Sequence, residues 1–112
     1  MRVPNGRSAR IDAAKIREYL LSPVHPVGRF KSAFFTSLGY SRDAWRRLET
    51  DLRAHLEDHE VVQTQPNSYG MKYVVRATLC GPSGAAADVI TVWIVLDGES
   101  APRFVTAYPG ED

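Results

Sequence analysis

Asp88-Val89-Ile90-Thr91-Val92-Trp93-Ile94-Val95-Leu96 is the stretch that decides the fold. Apart from Asp88 and Thr91 every residue is apolar, and most are β-branched. The run is too short for a buried helix, and its residue types suit a strand covered on both faces. It predicts the internal strand of a sheet. Working outward, Gly81-Pro82-Ser83-Gly84 on one side and Asp97–Pro102 on the other read as turns. Before the first turn, Met71–Leu79 alternates, with Met71, Tyr73, Val75, Ala77 and Leu79 on one side and Lys72, Val74, Arg76 and Thr78 on the other. After the second, Arg103–Tyr108 forms a last strand, and Glu60–Gln65 reads as a weak strand upstream of the pair.

Before His59 the period is 3.6 rather than 2. Asp12 suits the N-cap of a first helix, with Ile16, Tyr19 and Leu20 on one face, and Ser22-Pro23 ends it. A short proline-bounded loop, Val24-His25-Pro26-Val27-Gly28, leads into a second helix with Val27, Phe30, Phe34 and Leu38 at helical spacing and Gly39 just past its end. Ser41 caps a third helix whose stripe is Trp45, Leu48, Leu52 and Leu56. Helices first and strands after them predict an α+β fold: three N-terminal helices packed on one face of a three- or four-stranded antiparallel sheet. Residues 1–112 are expected to form one domain, with residues 1–10 as a flexible arm.

Composition narrows the class. The chain is 44% hydrophobic and 24% charged, which fits a soluble globular domain and excludes a disordered one. The single Cys80 excludes an internal disulfide framework and a zinc site built from several cysteines. No apolar run approaches the ~20 residues of a membrane span, and Met1–Arg10 has no signal-peptide character, so a cytoplasmic location and no membrane partner are expected. The net charge of +1 conceals a division: residues 1–47 carry ten Lys/Arg against three Asp/Glu, and residues 48–112 four against ten. Either the two segments neutralise each other in the fold or the basic half faces a polyanion.

Three constellations bear on chemistry. His25 and Lys31 flank Gly28 at the start of the second helix, where a histidine can move protons, a lysine can stabilise developing negative charge, and a glycine lets phosphate approach free N–H groups. The same spacing also fits an ordinary loop with a capping histidine. In Arg103-Phe104-Val105-Thr106-Ala107-Tyr108-Pro109, period 2 puts Thr106 and Tyr108 on one face, suited to a phosphate and a stacked base or to plain cross-strand packing. If Val75/Ala77, Val92/Ile94 and Val105/Ala107 face the helices, the open face presents Arg76, Thr78, Thr91, Trp93, Thr106 and Tyr108. His55 and His59 stand at i, i+4, yet no third ligand is evident and the surrounding residues form no zinc motif, so a solvated helix end is expected and no metal. Cys80 reads as a small buried or edge thiol.

Four strings, Lys15–Leu21, His25–Lys31, Tyr69–Tyr73 and Arg103–Pro109, resemble a family of small bacterial domains of unknown function. That family is in turn similar to the barnase–EndoU–colicin–RelE superfamily of metal-independent ribonucleases, found as toxins. The resemblance implies helices followed by a four-stranded antiparallel sheet, no cofactor, and a site in which His25 is the general base or acid, Lys31 stabilises the phosphorane, Thr106 binds phosphate and Tyr108 positions the substrate. EndoU-like sites usually carry a second histidine, and here only His55 and His59 remain, on another helix. The implied function is an endoribonuclease, with a toxin as one setting for it, that cleaves RNA through the 2′-hydroxyl to a 2′,3′-cyclic phosphate. Arg76, Thr91, Trp93 and Arg103 would be its substrate contacts. The alternative is a non-catalytic binding module, an antitoxin, an immunity partner or a degenerate nuclease, using the same open face.

Overall fold

The computed structural model describes residues 1–26 and 28–110, with the side chain of Phe30 excepted. After a 3₁₀ turn at Gly6–Ser8, helix α1 (Ala13–Lys15) runs directly into a π-helical segment, Ile16–Leu20. Helices α2 (Arg29–Ser37) and α3 (Trp45–Asp58) follow, then strands β1 (Val61–Pro66), β2 (Gly70–Cys80), β3 (Ala86–Leu96) and β4 (Arg103–Pro109). The strands pair antiparallel in the order β1-β2-β3-β4. The α+β expectation and the internal position of Asp88–Leu96 both hold.

Local chemistry accounts for the helix ends. Asp12 accepts the Ala14 N–H at 2.9 Å and so satisfies one of the orphan donors of α1. Gly39 has φ 99°, a left-handed conformation that lets the chain turn off α2 without a Cβ clash. The Ser41 hydroxyl accepts the Ala44 N–H in the turn before α3. Within α2, Phe35 is fully buried and Phe34 only half-buried, a rotation from the expected stripe; the Val27 position and the Phe30 side chain lie outside the described residues.

The core lies between the helices and one sheet face. Ile16, Leu20, Phe35, Leu48, Leu52 and Leu56 meet Val75, Leu79, Val89, Trp93, Phe104 and Ala107 there. Two expectations about the sheet need correction. Strand β3 has the opposite parity: Thr91 pairs with Val75 and Ala107 on the helix side, and Thr91 and Trp93 are both fully buried. Val92 and Ile94 turn the other way. On β4 a bulge pairs Val92 with Thr106 and Trp93 with Phe104, so Val105 is the extra residue and Phe104 takes the core position.

His55 explains the parity. It is not a solvated helix end but 2% exposed, inserted from α3 into the sheet. Its Nε2 lies 3.2 Å from the Ala77 carbonyl and 3.1 Å from the Val89 carbonyl, and its Nδ1 lies 3.1 Å from the Thr91 hydroxyl. The Trp93 indole N–H donates to the same hydroxyl at 2.9 Å. Nε2 donates to the carbonyls, Nδ1 accepts from Thr91, and every polar atom in the network has a partner. Burial holds the His55 pKa below its ordinary value, against the opposing pull of the two carbonyl bonds.

Residues 1–10 also depart from the flexible arm expected of them. Val3 and Ala9 are buried, the Val61 N–H bonds the Met1 carbonyl, and Arg10 forms a parallel bridge with Arg103. Residues 1–10 are thus docked from the β1 edge to the β4 edge, where backbone hydrogen bonds fasten them.

Candidate functional site

The cleft sits where the helices pass the edge of β4. The π-helical turn carries an i→i+5 bond, Leu21 N–H to the Ile16 carbonyl at 2.9 Å. The wider turn keeps Ile16 and Leu20 in the core and leaves Tyr19 half-buried at the rim. Gly28 fixes the next element against it. A Cβ at Gly28 would lie 1.9 Å from the Tyr19 carbonyl oxygen, so the glycine admits protein backbone, not phosphate as its sequence context implied. Its carbonyl accepts the Lys31 and Ser32 N–H groups, which starts α2 beside Tyr19.

Lys31 is the centre of the site. Its Nζ lies 2.6 Å from the Tyr19 hydroxyl and 3.0 Å from the Thr106 hydroxyl, and the two hydroxyls are 3.4 Å apart. The ammonium also stands 4.9 Å from the centre of the Tyr19 ring and 5.9 Å from that of Tyr108. The Tyr19 pKa is lowered: burial raises it, but the hydrogen bonds from Lys31 and Thr106 and the charges of Lys31 and Lys15 prevail. His25 packs edge-on against Tyr19 with ring centres 5.2 Å apart. Its Nδ1 accepts the Gly28 N–H at 2.9 Å, so in the neutral ring the proton resides on Nε2. Tyr19, His25, Lys31 and Thr106, together with Lys15, Glu18 and Val105, line a cleft of about 570 Å³.

His25, Lys31 and Thr106, named from sequence, line this cleft together, whereas Tyr108 lines a separate cavity on the open sheet face, its ring 5.9 Å from the Lys31 ammonium. Arg76 lies on that open face, in an ion pair with Asp88 at 2.6 Å. Arg103 stands one cavity away along β4 and pairs with Glu99 through Nε and Nη2, both at 2.9 Å. Thr91 and Trp93 do not reach either surface; they are fully buried in the His55 network and cannot touch a substrate. Tyr19 was missed. It falls at a core-facing position of the expected α-helix, and only the π turn rotates it into the cleft.

Among the described residues, no group of three or more His, Cys, Asp or Glu side chains is arranged to hold a metal ion. No helix among them is long and apolar enough to cross a membrane. Cys80 is exposed and unpaired with another cysteine.

Comparison with known proteins adds a family and a fold relative. The family described as Domain of unknown function (DUF6883) matches residues 2–111. No curated protein matches the sequence. Among solved structures, a chain of a contact-dependent growth inhibition toxin–immunity protein complex from Klebsiella pneumoniae 342 is similar, with a TM-score of 0.71 and 19% identity, covering 89% of this chain and 98% of that one. At that identity the likeness is one of fold.

Proposed function

Because this chain belongs to the DUF6883 family, whose description assigns no activity, its function has to be read from the cleft, and we propose that the cleft is the active site of a metal-independent, toxin-class endoribonuclease. The observation that carries the proposal is the Lys31 ammonium fastened to the Tyr19 and Thr106 hydroxyls, 2.6 and 3.0 Å away. One cation and two hydroxyls at one point make a preorganised site for a phosphoryl group. The fold relationship to a toxin–immunity complex supports the toxin setting.

In this reading Tyr19 takes the place of the second histidine. Its phenolate, favoured by Lys31, accepts the proton of the ribose 2′-hydroxyl, and the freed oxygen attacks the adjacent phosphorus in line. Lys31 and Thr106 stabilise the charge that gathers on the non-bridging oxygens. The P–O5′ bond breaks, leaving a 2′,3′-cyclic phosphate, and the departing oxygen takes a proton from solvent. His25, whose neutral ring carries its proton on Nε2, acts as a hydrogen-bond donor toward that developing charge rather than as the base. Tyr108 supplies a ring on the substrate side.

The test is cleavage of total RNA in the presence of EDTA, with wild type beside Tyr19→Phe and His25→Ala. Loss of either group should lower the rate by about 10²-fold or more, the usual worth of one positioned proton-transfer or charge-stabilising group. Both variants should stay folded, since each side chain is only partly buried. A wild type that binds RNA without cutting it, or that binds only a protein partner, would replace the nuclease with the second reading. That reading, a non-catalytic binding module that is an antitoxin, an immunity partner or a degenerate nuclease, draws on the same toxin–immunity relative.

A further inference from the structure

A second cavity, about 370 Å³, adjoins the cleft and shares Lys15 and Val105 with it. Three cations line it: Arg10, Lys15 and Arg103. We infer that Arg10, Lys15 and Arg103 form an anion subsite that holds the backbone phosphate next to the one at Lys31, so that the substrate is a single-stranded nucleic acid lying along the β4 edge.

The arm builds this site. The Arg10 N–H bonds the Pro102 carbonyl at 2.8 Å, and the Arg10 carbonyl accepts the Phe104 N–H at 2.9 Å. That parallel bridge sets Arg10 and Arg103 side by side on the strand edge. No hydrogen bond within the described fold occupies the Arg10 guanidinium. Arg103 spends Nε and Nη2 on Glu99, which leaves the Nη1 donors. Lys15 spends one of its three donors on the Val105 carbonyl at 3.1 Å. Asp12 also lines the cavity, but its carboxylate is engaged at the start of α1. Three cations against Asp12 and Glu99 leave the cavity positive.

Spacing favours a polymer over an isolated anion. Arg103 and Thr106 lie three residues apart on an extended strand that bulges at Val105 between them. At about 3.3 Å per residue this is roughly 7–10 Å, comparable to one backbone repeat of a single strand. Lys15, common to both cavities, spans the gap. The inference rests on the nucleic-acid reading of the cleft but not on its catalytic chemistry.

The experiment measures binding of an eight-residue oligodeoxynucleotide, which lacks the 2′-hydroxyl and so cannot be cut by this mechanism, across a range of salt concentrations. For one phosphate contact on a single strand the log–log salt slope changes by about 0.7. Arg10→Ala combined with Arg103→Gln should reduce the slope of wild type by that amount. Arg10→Ala alone should shift it in the same direction, should the Arg103 change loosen its turn. Arg46→Ala, a cation over Trp45 on α3, should leave the slope unchanged. An equal slope in wild type and double variant overturns the subsite, and so does a wild type that fails to bind the oligonucleotide. Binding with the expected slope loss, in a protein that leaves RNA uncut, keeps the subsite and removes the nuclease.

Discussion

Thr91→Val is the sharpest test of the way the sheet and helices are joined. The substitution keeps shape and volume and removes one hydroxyl, which accepts from Trp93 Nε1 at 2.9 Å and donates to His55 Nδ1 at 3.1 Å. All three residues are at most 2% exposed, so water cannot substitute. The indole N–H is then an orphaned buried donor, at a cost of about 1–3 kcal/mol, and the loss of the His55 partner adds about 1 kcal/mol. A total near 2–4 kcal/mol is a large part of the ~5–15 kcal/mol typical of a domain. For a chain of this size each kcal/mol shifts Tm by about 4 °C, so Tm should fall by roughly 8–16 °C. Urea melts would give ΔG, with an unchanged m-value showing that the native state is intact. Trp93→Phe in the Thr91→Val background removes the orphaned donor, so the double-mutant cycle should show coupling of about 1 kcal/mol or more. A Thr91→Val protein melting within 2 °C of wild type would refute the bridging role of the hydroxyl.

Three further outcomes follow from the same structure. His55 is held neutral in the core with its pKa lowered from 6.5, so the unfolded chain binds a proton that the folded one refuses. Its contribution is complete above pH 6.5 and declines as pH falls below it, which urea melts at pH 7.5, 6.0 and 5.0 would resolve. Gly28→Ala forces a Cβ onto the Tyr19 carbonyl and should cost about 1–3 kcal/mol by urea denaturation, together with loss of any activity that needs His25 and Lys31 beside Tyr19. Lys31→Met should move the Tyr19 titration upward, read as ultraviolet phenolate absorbance against a Tyr19→Phe control, and lower RNA cleavage by about 10²–10³-fold.

Much of the fold was legible because the sequence changes period cleanly. The strand at Asp88–Leu96 is internal because it has no polar face, and the Leu48/Leu52/Leu56 stripe lies in the core because its spacing allows nothing else. The same absence of a polar face hid the parity of β3. An unbroken apolar run fits either orientation, and the choice was made by His55, which reaches Thr91 from 36 residues away. The arm was misread for a related reason: Val3 and Ala9 are too few to form a pattern, and its anchors are backbone bonds to both sheet edges. In the site, His25, Lys31 and Thr106 stood out by residue type. Tyr19 did not, since a helical wheel at 100° per residue assigns it to the core.

The five-residue turn at Ile16–Leu20 has an evolutionary consequence. A π turn is equivalent to one residue inserted into an α-helix, and the backbone around it absorbs the insertion by losing a single bond register. On such a helix a packing face can be left where it was while one side chain swings out to a new task. The chain needs no new loop and no rebuilt core, because Ile16 and Leu20, at the two ends of the turn, are fully buried. Deleting one residue here would return an ordinary helix and withdraw Tyr19 from Lys31 in a single step.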